Sequence, residues 1–288
     1  MSCPSCDTYP EPVLDLAIIV VYLIVIAAIG LRISGKQRSA TDYFVGERNL
    51  SWWAVCFSIV ATETSTLTVI SVPGVAYLGA YGFVELAFGY LLGRSLVAIF
   101  LLPLYARGNL VSAYQYLGLR FGPKVQGLAS ATFLVTRLLA EGVRLFASAI
   151  PIALLLAAMG VHASYLEIIV VLAGVTVAYT YIGGIRAVVW TDAIQMMLYL
   201  GGALLSVGIL LHGTSFAELD HAFAAGKFQV FDFHAPILTS PYAFVAAIFG
   251  GAVFTMASHG ADQLMVQRIL ACRNLRDSRK AMVGSAVF

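Results

Sequence analysis

The chain has 288 residues, of which 60% are hydrophobic and only 11% are charged. Soluble domains carry roughly one quarter charged residues, so this composition excludes an ordinary soluble protein and indicates a membrane protein. The net charge is only +2, and the basic residues lie between apolar runs rather than in one patch, so nothing resembles a nucleic-acid-binding surface.

Seven apolar runs are long enough to cross about 30 Å of hydrocarbon as helices. The predicted spans are 13–31, 52–79, 81–104, 126–159, 163–182, 187–211 and 242–270. An eighth run begins at Ala281 and stops at Phe288, which is too short to span anything. We therefore expect one membrane domain over residues 1–288 that ends before its architecture is complete. A finished protein with a short re-entrant tail is the alternative.

The segment before the first span, "MSCPSCDTYPEPVLD", is acidic and has no basic residue ahead of the apolar run. No small-residue cleavage site follows it, which favours a membrane span over a signal peptide. Cys3 and Cys6 form a lone C-x-x-C motif. Without a second pair this motif favours a disordered tail over a disulfide or a zinc site.

The basic residues between spans fall almost entirely on one side of the membrane if the spans alternate. They follow the first, third and fifth spans and flank the seventh, whereas Lys227 alone lies in a loop on the other side. The positive-inside rule then places the N-terminus outside. We expect a multi-pass protein of the cell (plasma) membrane. The loop 213–240 is amphipathic in its first half, which suits a surface helix or a vestibule cap, although an ordinary connection is equally compatible.

The segment "SIVATETSTLTVISVPG", residues 58–74, places a polar cluster inside the second span. In a bilayer each unsatisfied polar group costs several kcal/mol, so the cluster must face protein, water or an ion. Hydroxyl side chains compete for backbone bonds and Pro73 removes a donor, so we expect a helix break near residues 61–66. Freed carbonyls and hydroxyls suit a small cation. A Ser/Thr packing face is the alternative, and Glu63 favours the ion or substrate site.

A second polar interruption, "FGGAVFTMASHGADQ", lies in the seventh span. Its glycines loosen the helix. Its polar groups are those of Thr255, Ser258, His259 and Asp262. Two interrupted spans in one chain indicate an inverted-repeat transporter whose site lies between the repeats. A close-packing glycine face is the alternative.

The fourth span carries "TRLLAEGVRLF", in which Arg137, Glu141 and Arg144 share one helix stripe with one net positive charge. Such a stripe predicts structural pairing with acids such as Glu85 or Asp192. Contact of one arginine with an anionic substrate is the alternative. The sequence contains no H-E-x-x-H, G-x-S-x-G or P-loop motif, so an enzyme is not indicated.

Four segments in order resemble the sodium:solute symporter family. They are "TDYFVGERNLSWWAVCFSIVATETS", "LVSAYQYLGLRFG", "YTYIGGIRAVVWTDAIQ" and "GADQLMVQRILACRNLRDSRKA". Together they cover the chain from about Thr41 to its end. The resemblance implies an all-α membrane bundle of ten core helices in two inverted five-helix repeats, after one extra N-terminal helix. Spans two to six would form the first repeat, and the second would be truncated after its start at span seven.

In that family a sodium ion is held by two carbonyls at the break of the first core helix. The matching carbonyls here are those of Ala61 and Thr64, with Ser65 beside them. The resemblance places the remaining hydroxyl ligands beyond Phe288. Glu63 falls where some relatives have a carboxylate, and a negative charge there would strengthen cation binding.

The same resemblance implies where a solute would bind. Sugar carriers bring aromatic residues to the pocket on the sixth core helix, whereas the matching positions here are Ser258 and His259, which argues against a sugar. We predict substrate contacts from Thr68, Thr255, Ser258 and His259. Asp192 matches an acidic residue near the expected ion exit path, in a charge network with the fourth-span stripe. Alternatively, Thr191 and Asp192 cap the sixth span.

These expectations describe a sodium-coupled symporter that imports a small polar solute by alternating access, with Na+ as coupling ion. A solute-sensing membrane domain of a signalling protein is the alternative. The expected partners are the solute and the lipid bilayer, with no nucleic acid and no obligate protein partner. Residues 1–288 alone are expected to insert without transporting, and their "ATETST" polar groups to be poorly satisfied.

Overall fold

The computed structural model describes residues 12–34, 39–108, 110–237, 239–240 and 242–288. These residues are almost entirely helical and contain no β-strand, only an isolated bridge between Leu50 and Cys272. The all-α prediction is therefore confirmed. The Cys3–Cys6 motif, and with it the interpretation of the N-terminal tail, lies outside the described residues.

The helices follow one another along the whole described chain. They are α1 (Pro12–Ser34), α2 (Ala40–Val45), α3 (Trp52–Glu63), α4 (Thr66–Leu78), α5 (Val84–Leu96), α6 (Leu102–Arg107), α7 (Ala113–Phe121), α8 (Pro123–Ala158), α9 (Tyr165–Gly213), α10 (Phe216–Ala224), α11 (Gly251–Gly260), α12 (Gln263–Leu270) and α13 (Leu275–Gly284). A π-helical stretch, Val97–Leu101, joins α5 to α6, and another, Ala246–Gly250, leads into α11.

Several helices are long and apolar enough to cross a membrane. In the described residues these are Val13–Ile33, Val84–Arg107, α8 and α9, and α3 with α4 qualifies as one span bent by 71°. The chain is thus a multi-pass membrane protein. The predicted seventh span differs from these, because the structure divides it into the π-helical stretch, α11 and α12.

Polar side chains mark the starts of several helices, because each accepts a hydrogen bond from an otherwise unpaired backbone amide in the first turn. These caps are Ser112 of α7, Ser164 of α9, Ser215 of α10, Asp262 of α12 and Asn274 of α13. The suggested cap at Thr191 and Asp192 is wrong, since both lie well inside α9.

The helix α9 contains both the fifth and the sixth predicted spans and bends sharply at Gly184. This glycine has φ 56° and ψ −163°, a region that essentially only glycine adopts. A Cβ on Gly30 of α1 would lie 3.5 Å from Tyr179 and 3.2 Å from Thr191. Tyr179 and Thr191 are twelve residues apart, and a straight helix would separate them by about 18 Å. Because both lie close to Gly30, the segments before and after Gly184 turn toward the same part of α1.

The two halves of the bent span differ in burial. In α3 the residues Ala54, Ser58 and Ile59 are buried completely, and the helix packs against α9, α12 and α13. In contrast, α4 has no buried residue. The first half of the span is therefore held in the core of the bundle, while the second half lies at its edge.

The predicted basic loops meet at one end of the bundle. Their contacts join Arg48 to the Leu110 carbonyl (3.0 Å), Arg186 to Glu47 (3.0 Å) and the Leu50 amide to the Ala271 carbonyl (3.0 Å). The loops after the first, third, fifth and seventh spans are thus neighbours, as alternating spans require.

The loop 213–240 lies against the far end of α4. Its first half forms α10, which has no buried residue. Beyond α10, Lys227 Nζ donates to the carbonyls of Tyr77 (2.7 Å) and Gly79 (3.1 Å). Because these carbonyls end α4, the lysine side chain satisfies acceptors that a helix terminus leaves unpaired.

Candidate functional site

The break between α3 and α4 is the main irregularity in the described spans. Thr64 (φ −71°, ψ 104°) and Ser65 (φ −111°, ψ 164°) are extended, and the Thr64 amide makes the closing hydrogen bond of α3, to the Val60 carbonyl. Ser65 caps α4 by accepting from the Thr68 amide at 3.4 Å. The predicted break near residues 61–66 is confirmed.

The hydroxyl groups around the break all have partners. Thr62 and Thr64 donate to carbonyls four residues earlier, at 2.7 and 3.0 Å. The Thr66 hydroxyl lies 3.0 Å from that of Ser148 on α8. The expectation that this polar cluster is poorly satisfied is therefore wrong, because the preceding helical turn and α8 supply the missing bonds.

A cavity of about 550 Å³ opens beside the break, within the range of small-molecule sites. The break, one stripe of α8, the bent part of α9 and residues of α2 and α12, Arg268 among them, form its walls. The predicted site residues in these walls are Ala61, Thr64, Ser65, Arg137, Glu141, Arg144 and Asp192. The other predicted residues, Glu63, Thr68, Thr255, Ser258 and His259, are not part of the walls. The structure therefore brings the predicted ion-site carbonyls and the charged stripe together, but not the predicted substrate contacts.

The α8 stripe pairs internally and with the two helix breaks. Arg137 lies 3.0 Å from Glu141 and 3.5 Å from Asp262, and Arg144 lies 3.8 Å from Glu141. Arg144 also donates to the Thr62 carbonyl at 3.3 Å. Two arginines and two carboxylates make this group electrically balanced, and it connects α8 to the ends of both α3 and α11.

The acids that the sequence suggested as partners of this stripe have other partners, so that prediction is wrong. Asp192 accepts from Arg268 at 3.1 Å and from the buried Ser58 hydroxyl at 2.7 Å. Arg268 also donates through Nε to Ser58, at 2.9 Å. Glu85 accepts instead from the Asp232 backbone amide at 2.8 Å. The Asp192–Arg268–Ser58 group ties α9 and α12 to the middle of α3.

Glu63 turns away from the cavity into a third charged group. Both of its carboxylate oxygens accept from Arg94, at 2.6 Å for Oε1, and His259 Nε2 lies 2.9 Å from the same oxygen. Arg94 is only 2% exposed and also donates to the Ser285 hydroxyl at 2.7 Å. His259 Nδ1 contacts the Ser258 hydroxyl at 2.9 Å. The role of Glu63 as a sodium ligand stays a prediction.

The remaining predicted substrate contacts occupy different environments. Thr255 is buried where α11 meets α5, whereas Thr68 is on the exposed face of α4 with its hydroxyl 3.2 Å from Ser65. Among the described residues, no group of three His, Cys, Asp or Glu side chains could hold a metal ion. That Thr68, Thr255, Ser258 and His259 contact a solute stays a prediction.

Two arginines that complete the charged groups, Arg94 and Arg268, were missed as site residues from the sequence. Arg94 carried a usable signal, because a charged residue inside an apolar span requires a partner at similar depth. Arg268 carried none, since it resembles the other basic residues that flank the seventh span. Their partners lie 31 and 76 residues away, and only the fold reveals such pairs.

A sequence profile of the sodium:solute symporter family matches residues 43–288. The chain is 31% identical over 278 residues to the human sodium/iodide cotransporter, covering 95% of this chain and 42% of the relative. It is 27% identical to a sodium/sialic acid symporter of Aliivibrio fischeri, covering 92% and 52%. The chain thus spans about half the length of these curated relatives.

The fold is also similar to that of a solved Na+-coupled sialic acid symporter in a substrate-bound outward-open state. The TM-score is 0.78 at 23% identity, covering 97% of this chain and 57% of the other. The names of these proteins describe transporters and lend no support to the sensing alternative or to an enzyme. The helical fold, the broken second span and the profile match over residues 43–288 agree, and the chain belongs to the sodium:solute symporter family.

Proposed function

We propose that this chain forms part of a sodium-coupled secondary active symporter that imports a small polar solute by alternating access. The observation that carries the proposal is the break between α3 and α4, which opens onto a cavity of about 550 Å³. A broken helix at such a cavity supplies oxygen ligands for a coupling ion. Family membership supports the same function.

The proposed sodium ligands are the carbonyls of Ala61 and Thr64, with the Ser65 hydroxyl beside them. The last carbonyls of a helix have no partner four residues further on, so they are available to a cation. The negative end of the α3 dipole also points toward this position. Glu63, next to these carbonyls, was predicted to add negative charge, but its pairing with Arg94 offsets that charge locally.

The solute would enter the same cavity, where the hydroxyls of the break and the α8 arginines offer polar contacts. The other proposed contacts are Thr68, Thr255, Ser258 and His259. Because these lie outside the cavity walls, they would reach a solute only when α4 or α11 moves during alternating access.

The membrane potential would drive import. One sodium ion entering down an inside-negative potential of about 100 mV supplies about 2.3 kcal/mol before any concentration difference is added. We also propose that the end with the basic loops faces the cytoplasm and that the N-terminus lies outside, as the positive-inside rule predicts. We propose the plasma membrane as the site of this transport.

The test is uptake of labelled solutes by the complete protein in cells or vesicles, with sodium present or replaced by choline. The relatives are named for iodide, monocarboxylates and sialic acids, so the panel should contain small inorganic and organic anions as well as amino acids. We expect at least one solute to accumulate only with sodium. Uptake that choline leaves unchanged for every transported solute would refute sodium coupling.

The ion site can be tested within the same assay. Replacing Ser65 by alanine should raise the sodium concentration needed for half-maximal uptake. Ser206→Ala is a matched control, because Ser206 is exposed on α9 and bonds only to the carbonyl of its own helix at Gly202. Equal sodium dependence of the two variants would remove Ser65 from the proposed site.

A further inference from the structure

Four elements meet at the charged group around Glu63. We call Glu63, Arg94, His259 and Ser285 the Glu63 cluster; they lie at the end of α3, in α5, in α11 and just after α13. Arg94 lies at its centre, donating to both carboxylate oxygens of Glu63 and to Ser285. The hydrogen bond from Arg94 to Ser285 alone joins residues that are 191 positions apart in the chain.

Close packing brings α5 and α11 near enough for this arrangement. A Cβ on Gly93, the neighbour of Arg94, would lie 2.4 Å from the Ala252 carbonyl oxygen, so only a glycine permits this approach. The crossing places Arg94 of α5 and His259 of α11 against the same carboxylate. The position of the Glu63 side chain is thus defined by two helices packed backbone to backbone.

The charge of Glu63 is compensated inside the protein. Arg94 is 2% exposed, and its Nη2 donates to both carboxylate oxygens of Glu63, in a charge-assisted contact. Glu63 does not line the cavity that Ala61, Thr64 and Ser65 line. A sodium ion at those carbonyls would therefore meet a neutral pair rather than a free carboxylate.

Glu63 is also the last residue of α3, directly before the two extended residues of the break. Anchoring its side chain limits rotation and fraying of the final turn of α3, whose carbonyls would otherwise move with it. Preorganised ligands bind more tightly because less ordering remains to be done on binding.

We infer that Glu63 and Arg94 form a positioning pair that orients the carbonyls of Ala61 and Thr64 for the coupling cation, and that Glu63 is not itself a ligand. This inference rests on the proposed function, since it assigns the pair to the sodium site. It predicts that the two residues act as one unit. Neutralising only one of them should weaken sodium binding more than neutralising both.

The test is equilibrium binding of radioactive sodium to the purified complete protein, with Glu63→Gln, Arg94→Gln and the double variant compared. Each single variant should bind sodium about tenfold more weakly or worse, because the remaining partner loses the ion pair that holds it in place. The double variant should recover to within about threefold of the unaltered protein, since two neutral amides can bond to each other. Arg120→Gln on exposed α7 makes the same charge change and should bind normally.

A ligand role for Glu63 predicts opposite results. Removing the competing positive charge in Arg94→Gln would then tighten sodium binding, and the double variant would bind no better than Glu63→Gln. Either result overturns the inference. A third contrary outcome is a lowered thermal unfolding midpoint in the single variants with unchanged sodium affinity, which would reduce the pair to a structural role.

Two further measurements keep the result interpretable. If Arg94→Gln does not fold, Arg94→Lys retains the charge but lacks the second terminal nitrogen, which donates to Ser285 in the structure, and should still weaken sodium binding. Binding is measured without transport, so absence of sodium binding by the unaltered protein contradicts the proposed function. Normal binding combined with tighter binding by Arg94→Gln contradicts only the positioning pair.

Discussion

The crossing of α5 and α11 should make Gly93 intolerant of even one added methyl group. In Gly93→Ala the new Cβ would lie 2.4 Å from the Ala252 carbonyl oxygen and 2.5 Å from Thr255 Cγ2. Carbon atoms pack at about 3.5–4.0 Å, so the two helices must separate by about 1 Å. A backbone carbonyl cannot rotate aside as a flexible side chain would.

The expected loss can be estimated against a matched variant. Overpacking of this kind costs about 1–3 kcal/mol, while alanine gains up to about 1 kcal/mol over glycine in a helix interior. Gly127→Ala on α8 makes the same exchange with no atom within 4 Å of the new Cβ. The propensity gain is common to both variants, which leaves about 1–3 kcal/mol as the difference between them.

The assay is thermal unfolding of the purified protein in detergent, monitored by its tryptophan fluorescence. A difference of 1 kcal/mol shifts the midpoint by about 2–4 °C for a chain of this size class, so Gly93→Ala should melt several degrees below Gly127→Ala. Equal midpoints, or a higher midpoint for Gly93→Ala, would show that α5 and α11 do not approach this closely.

Three other predictions concern topology, buried charge and the bend in α9. A cysteine in the 213–240 loop should react with an impermeant reagent from outside and one in the segment 273–280 only from inside; opposite labelling would overturn the proposed orientation. Asp192→Asn removes the carboxylate that balances the charge of buried Arg268 and should cost about 3–5 kcal/mol, seen as a lower melting midpoint that exposed Asp220→Asn does not share. Gly184→Ala should cost about 1–3 kcal/mol from backbone strain, and an unchanged midpoint would argue against the bend.

The helix break was predictable because its causes are local. A run of Thr and Ser side chains next to a carboxylate disfavours an uninterrupted span in lipid, whatever the rest of the chain does. The expected contribution of Pro73 is wrong, since this residue lies inside α4 and not at the break. The spacing of Arg137, Glu141 and Arg144 likewise indicated a shared stripe, and two of its ion pairs form within α8. Interactions within one helical turn or two can be inferred from spacing alone.

The partners of the buried charges were not predictable in this way. Glu63 could have faced an ion, water or any of several basic residues, and the choice of Arg94 depends on how closely α5 approaches α11. The same holds for Asp192 and Arg268, which α9 and α12 bring to opposite sides of one serine on α3. Such pairs depend on how the helices pack, which the spacing of residues in the sequence does not predict.

The bend at Gly184 affects how the protein is inserted during synthesis. The two apolar segments of α9 follow each other within 49 residues with no loop between them, and Arg186 is the only Lys or Arg in this stretch. In the proposed orientation, both segments would therefore leave the translocation channel as one helical hairpin, with a single cationic residue retaining its tip on the cytoplasmic side. One side chain would thus orient two spans at once, and its loss would endanger the biogenesis of both.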